Sequence, residues 1–303
     1  MRLALIIPVR NAGAHLDCLL PALAAQSAQP DEWLALDSES ADGSAERLRA
    51  AGARVVTVPR GDFNHGGTRG LGSRLTTAEA LIYLTQDAIP ADADCFRRLR
   101  EALLADARVG VAYGRQLPHQ GASLLAAHAR DFNYPPLSRT KRLEDAARLG
   151  IKTCFSSDAC AIYRREALLA AGGFPEDVIG TEDAYVAGKM LLSGWHVRYE
   201  AEARVRHSHD YSLLEEMRRY FDIGVFYGRE RWIARHFGRA GGEGRRFVLS
   251  ELAAARAAGQ PWRQGEILLR AALKLAGYRL GQCERYLPIS VKRRLSMFSG
   301  YWK

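Results

Sequence analysis

The chain has 303 residues, 48% of them hydrophobic, enough to bury a sizeable core in one large domain or two fused halves. Five scattered cysteines, Cys18, Cys95, Cys154, Cys160 and Cys283, lack zinc-type spacing, and no apolar run reaches the roughly 18 residues that a membrane span needs. The net charge of +9 is uneven: residues 1–110 hold 12 Lys and Arg against 14 Asp and Glu (−2), whereas residues 211–303 hold 18 against 8 (+10).

Leu3 to Val9 reads as a first strand, because Pro8, Arg10 and Asn11 cut its apolar run too early for an export signal. With reduced thiols, that predicts a cytoplasmic protein. Ala14 to Gln26 is a predicted helix with Leu16, Leu19, Leu20 and Leu23 on one face. Trp33 to Leu36 is a second strand, and a helix follows from Asp42-Gly-Ser to near Gly52, capped by Asp42 or Ser40. Arg54 to Val58 is a third strand, Gly66 to Thr77 a helix, Leu81 to Leu84 a buried strand and Val109 to Tyr113 a fifth strand. Strands separated by helices predict a parallel sheet covered on both faces.

Gln116 to Thr140, with Pro118, Pro135 and Pro136, reads as a loop-rich segment suited to a substrate pocket. Strand patterning returns at Ala159 to Tyr163; Gly172-Gly-Phe-Pro-Glu is a turn; Asp183 to Ser193 is a helix ended by Gly194. Val197 to Tyr199 and Ala203 to Val205 read as two short strands, and beyond Ser212 the chain is helical and basic. The divisions are therefore 1–115, 116–210 and 211–303.

Asp87 follows a buried strand at the sheet edge where α/β folds bind ligands, which makes it a candidate metal ligand. Asp37 holds the equivalent place after the second strand, where it can bond a base or ribose or close an Asx-type turn. In Asp62-Phe-Asn-His-Gly-Gly-Thr-Arg69, two glycines and a cation precede a helix. That suits a diphosphate, or a plain Gly-rich turn. Glu182 and Asp183 open a helix, either as dipole partners or with one of them as a general base. His207 and His209 follow a strand-like run; beside Asp87 they become candidate metal ligands.

In order, the set runs Pro8-Val9-Arg10-Asn11, Asp37 to Asp42-Gly-Ser44, Arg69, Gln86-Asp87, Gly172-Gly-Phe-Pro-Glu176 and Glu182-Asp183. Over residues 1–210 this resembles family 2 glycosyltransferases of the GT-A fold. A narrower resemblance, to bacterial rhamnosyltransferases of that family, rests on the segment 62–69, on Tyr83 to Pro90, Tyr113 to His119, Phe132 to Pro135, His207-Ser-His209 and Tyr220 to Phe226, and on the closing stretch from Leu295-Ser-Met to Tyr301-Trp-Lys.

The resemblance implies a Rossmann-like, mostly parallel α/β sheet with a helical C-terminal extension, and an inverting transfer from a nucleotide sugar. Pro8, Val9, Arg10, Asn11, Asp37, Ser38, Arg69, Gln86 and Asp87 would bind that donor. Asp37 would hold the base and Arg69 the diphosphate region. Asp87 would bind Mg²⁺ or Mn²⁺; His207 fits the family's histidine ligand best, with His209 the alternate. Asp183 would take the acceptor proton, with Glu182 next in line. The chain departs from the pattern at Thr85-Gln86-Asp87, which lacks the first acid of a DxD-type motif, and at Gly70, where the family usually has Asn.

The implied reaction moves L-rhamnose from dTDP-L-rhamnose to a saccharide or lipid-linked acceptor in surface polysaccharide or lipopolysaccharide assembly. A UDP-hexose or UDP-galactofuranose is the alternative donor. A nucleic-acid-binding protein or a non-catalytic membrane scaffold is the more distant alternative. No nucleic-acid motif is present, and Asp87, Asp183 and Arg69 argue for an enzyme. The basic final third suits an anionic membrane surface. From Arg263 to Tyr278 the helical spacing puts Leu268 and Leu275 on one face and Arg263, Arg270 and Lys274 near the other. The competing reading packs those leucines on the rest of the protein.

Overall fold

A computed structural model describes residues 1–238 and 242–303. In chain order the elements are β1 (Leu3–Val9), α1 (Gly13–Ala24), β2 (Glu32–Asp37), α2 (Ser44–Ala50), β3 (Arg54–Thr57), α3 (His65–Arg74), β4 (Ala80–Leu84), β5 (Ile89–Pro90), α4 (Cys95–Leu104) and β6 (Val109–Leu117). There follow α5 (Leu124–Asn133), β7 (Arg139–Lys141), α6 (Ala146–Leu149), β8 (Cys160–Arg164), α7 (Arg165–Ala170), α8 (Glu182–Leu192) and β9 (His196–Arg206). The last third holds α9 (Leu213–Arg229), α10 (Arg231–Phe237), α11 (Glu243–Ala257), α12 (Gln264–Gln282) and α13 (Ile289–Leu295).

The strands form one sheet in the order β3-β2-β1-β4-β8-β6-β9-β5, with β7 paired to β9. β1 to β4 are mutually parallel; β8 runs against both of its neighbours, and β6 and β9 are parallel to each other. Most strands therefore share one direction. Alternation along each strand feeds two cores. Leu3, Leu5, Ile7 and Val9 of β1 face α1, α2 and α4, whereas Ala4 and Ile6 face the side that α3, α7, α8 and α9 cover. Both faces are thus buried, which is why β4 reads as an unbroken apolar run.

Four local expectations change. The two short strands at 197–199 and 203–205 are one eleven-residue strand, β9, because polar side chains alternate with buried ones throughout it. The segment 116–140 contains α5, begun by Ser123, whose side chain accepts from the Ala126 N–H. α4, absent from the sequence reading, has a strongly amphipathic pattern and buries Phe96, Leu99 and Leu103. Neither Asp42 nor Ser40 is the cap residue of α2. Gly43 is, in a left-handed conformation, and Asp42 accepts instead from the Ser44 and Gly13 N–H groups.

The helical third is joined tightly to the sheet domain. α9 and α12 cross at glycines: a Cβ on Gly277 or Gly281 would fall 2.3 and 2.1 Å from the Met217 and Phe221 carbonyl oxygens. Phe221, Val225 and Phe226 of α9 enter the same core as β4 and α8, together with Trp302 from the end of the chain. No helix among the described residues is long and apolar enough to cross a membrane.

Candidate active site

The site forms where the sheet order reverses, at the carboxyl ends of β1 and β4, the usual ligand crevice of such sheets. Gln86 clamps these two ends: it accepts from the Arg10 N–H at 2.7 Å and donates to the Arg10 carbonyl at 3.0 Å. The Asn11 N–H donates to the Ser40 hydroxyl, and the Asn11 side-chain oxygen accepts the Ala41 N–H, which ties the β1 end to the segment after β2. Asn11, Glu39 and Thr181 are non-glycine residues with left-handed backbone, at φ of 47°, 52° and 63°. All three lie at element ends around this crevice, a pattern typical of functional sites. Asp37 is buried, one of its carboxylate oxygens takes the Ser40 N–H, and the other has no partner. The Ser38 hydroxyl beside it is likewise buried and unpartnered. Such orphan polar atoms are what a donor's base or sugar hydroxyls would satisfy.

Asp87, His207 and His209 come together although 120 residues separate them in the chain. One ligand atom from each lies within 4.8 Å of the others. Nε2 of His207 and of His209 stands 3.4 and 3.5 Å from Asp87 Oδ2. His207 Nδ1 meets Gln116 Oε1 at 3.0 Å, which fixes the tautomer that leaves Nε2 free for a cation. Burial and the neighbouring His207 push His209 down to about 4, so its imidazole is neutral. Burial alone would raise Asp87, but the His207 hydrogen bond and charge hold it well below the ordinary carboxylate range. The donor set of one carboxylate and two imidazoles fits a divalent transition metal. The sequence reading chose one histidine; the structure brings both.

Arg69 lies elsewhere. It is 5% exposed and held by two acids, Glu182 at 2.7 Å and Asp158 at 3.2 Å. Its guanidinium therefore faces carboxylates rather than the open crevice. The Gly-rich segment before it also acts in packing. Asn64 caps α3 by accepting the Gly67 N–H, and a Cβ on Gly66 would lie 1.8 Å from the Pro175 carbonyl oxygen. Gly66 and Gly67 therefore lie in the first turn of α3 and serve packing and capping.

Asp183 lies in the first turn of α8 and lines a cavity of about 460 Å³ that also receives His207 and His209. Burial, with the nearby Asp158 and Glu182 charges, raises its carboxyl well above the ordinary range. Burial also raises Asp158, whereas at Glu182 burial is outweighed by the Arg69 and His65 charges together, which favour ionisation. Three acids around one arginine leave a carboxyl that holds a proton tightly near neutrality, the property of a general base. Arg130, Tyr211 and Arg219, which no motif indicated, also line the cavity, beside Gln116 and Phe298 from the segments 113–119 and 295–303. Only the odd placement of polar residues within apolar segments could have hinted at them.

The family model described as Glycosyl transferase family 2 matches residues 4–170. The chain is a family 2 glycosyltransferase. Across its full length the transferase is 43% identical to the O-antigen chain rhamnosyltransferase RfbN of Salmonella typhimurium, covering 96% of it. It is 41% identical to the O-antigen chain rhamnosyltransferase WbaN of Salmonella anatum over 98% of this chain and 95% of that one. Among solved structures it resembles a Pyrobaculum calidifontis mannosyltransferase in complex with GDP-Man and Mn²⁺, with a TM-score of 0.59 at 20% identity, covering 99% of this chain and 81% of that one. S. aureus TarS in complex with UDP-GlcNAc gives a TM-score of 0.53 at 15% identity, over 94% and 91% of the two chains. These likenesses show that the transferase has the GT-A fold.

Proposed function

We propose that this transferase moves L-rhamnose from dTDP-L-rhamnose, with inversion, to a saccharide acceptor in lipopolysaccharide or related surface-polysaccharide assembly. The observation that carries it is the full-length identity with two O-antigen chain rhamnosyltransferases, 43% and 41%, which extends through the helical third. Asp183 accepts the proton of the acceptor hydroxyl. The freed oxygen attacks the anomeric carbon opposite the diphosphate; the bond from that carbon to the diphosphate oxygen breaks, and its electrons leave on the diphosphate. Asp37 and Ser38 receive the donor's base and ribose, and the Arg10–Gln86 clamp keeps the β1 and β4 ends in register beneath it. Glu182 and Arg69 hold Asp183 in its charged setting, with Glu182 not itself the base, since it is buried against the arginine.

Asp87, His207 and His209 would hold a divalent ion, which supplies positive charge beside the departing diphosphate. Two imidazoles suit Mn²⁺ better than Mg²⁺, which prefers an oxygen shell. The enzyme works in the cytoplasm against the inner membrane face, with a lipid-linked acceptor. Supporting this, α12 turns Leu268, Leu269 and Leu275 outward, and Trp262 before it is 73% exposed. Arg270 and Lys274 point the other way and pair with Glu216.

The deciding experiment is a panel of dTDP-L-rhamnose, a UDP-hexose and UDP-galactofuranose, assayed with Mn²⁺ and with Mg²⁺. Turnover of dTDP-L-rhamnose above the others, with an inverted product linkage by NMR, is expected. Preferential use of a UDP-sugar would remove the rhamnose assignment and leave the family membership standing.

A further inference from the structure

Two arginines that no motif pointed to meet at the far side of the catalytic cavity. Arg130 comes from α5 and Arg219 from α9, and both line the cavity of about 460 Å³ as well as an adjoining one of about 230 Å³ among α5, α9, α11 and α12. Arg130 is half-buried. One of its terminal nitrogens donates to Gln116 Oε1, the oxygen that also meets His207 Nδ1, and its Nε is buried without a partner. Its guanidinium lies 5.7 Å from the Tyr134 ring centre, and that of Arg219 lies 5.7 Å from Tyr211.

Among the described residues neither arginine has an acid within ion-pair distance. The other cations around the adjoining cavity do: Arg270 and Lys274 pair with Glu216, and Lys152 pairs with Glu243. Stacking on a tyrosine is worth only about 0.5–1 kcal/mol at exposed sites and leaves the charge uncompensated. Burial, and the charge of Arg219, lower the pKa of Arg130, disfavouring its charged form. Two like charges turned toward one cavity without a counter-ion make a place for an anion, and planar guanidinium groups match phosphate oxygens in particular.

We infer that Arg130 and Arg219 form a phosphate-binding site that takes an ionised phosphate group of a substrate. This rests on reading the cavity as the place of transfer. The phosphate is either part of the donor's diphosphate or carried by the acceptor. In both cases the helical third reaches into the site through Arg219, so it takes part in substrate binding as well as in packing.

Calorimetry on the full chain with Mn²⁺ present, using inorganic pyrophosphate, dTDP and phosphate-free thymidine, tests this. Arg219→Gln should weaken pyrophosphate at least tenfold and leave thymidine unchanged; Arg219→Lys should keep part of the affinity. Arg219 is exposed, so its variants should fold, and an unchanged thermal midpoint would confirm it. If the donor supplies the phosphate, dTDP weakens in parallel. If the acceptor supplies it, dTDP is unaffected and the loss appears when pyrophosphate is titrated into dTDP-loaded enzyme. Wild-type pyrophosphate affinity in folded Arg130→Gln and Arg219→Gln, both free and dTDP-loaded, would overturn the site. Because pyrophosphate carries no sugar, this result is independent of the rhamnose assignment.

Discussion

The crevice at the ends of β1, β2 and β4 and the cavity wall built by α5, α9 and the C-terminal segment are constructed differently. In the crevice Asp37 is the last residue of β2 and Asp87 lies three residues beyond β4, so both are placed by a few local residues. In the wall, Arg130, Arg219 and Phe298 come from positions about 90 and 80 residues apart, brought together by helix packing. Residues at strand ends can be found one at a time. Residues on packed helices acquire a role only in each other's company.

The largest effect should separate the base from its supports. Asp183→Asn is close to isosteric and cannot accept a proton, so turnover should fall about 10²–10⁴-fold with dTDP binding retained. Near-wild-type turnover by folded protein would move the base elsewhere. The same carboxyl sets a pH limb. Its folded-state ionisation lies above the unfolded one, so the fold favours the protonated acid, and activity should rise with pH as the proton leaves. Stability should decline over that window, between the ordinary carboxylate value and the raised one, and Asp183→Asn should lose this part of the decline. Glu182→Gln removes a neighbouring negative charge and should move the limb to lower pH; a limb that stays in place would detach Asp183 from it.

Arg69 tests where local reading misleads. If it met the donor diphosphate, Arg69→Leu would weaken donor affinity and leave the unfolding midpoint alone. Its ion pairs predict the opposite emphasis: stranding buried Glu182 and Asp158 should cost about 3–5 kcal/mol, measured by denaturant unfolding.

The metal cluster should show near-equivalence of two histidines that sequence ranked unequally. His207→Ala and His209→Ala should each raise the Mn²⁺ concentration for half-maximal activity by a similar factor, on the order of tenfold or more, and Asp87→Ala by more than either. A silent His209→Ala would restore the single-histidine arrangement.

The smallest effect on catalysis is expected at α12. Leu268→Glu with Leu275→Glu should leave turnover on a soluble acceptor unchanged and reduce co-sedimentation with anionic vesicles. Equal binding of wild type to neutral and anionic vesicles would exclude an electrostatic contribution.

The sequence by itself determined the strand–helix alternation of the first half, the two-sided burial of β4, and the carboxylates at the strand ends. Periodicity and strand-end position are local properties, and a side chain at the end of a buried strand has nowhere to go but the sheet edge. The same reasoning named Asp87, Asp183, His207 and His209, but could not show that both imidazoles share one carboxylate. That depends on β5, two residues after Asp87, pairing with the end of β9, where Arg206 immediately precedes His207. Tertiary structure alone decided that β8 runs against its neighbours, that β9 is continuous, that Arg69 turns toward Glu182 and Asp158, and that α9 supplies Arg219. Each is a contact between segments far apart in the chain, fixed by how buried faces and opposite charges are matched once the sheet has closed; no window along the sequence contains both partners.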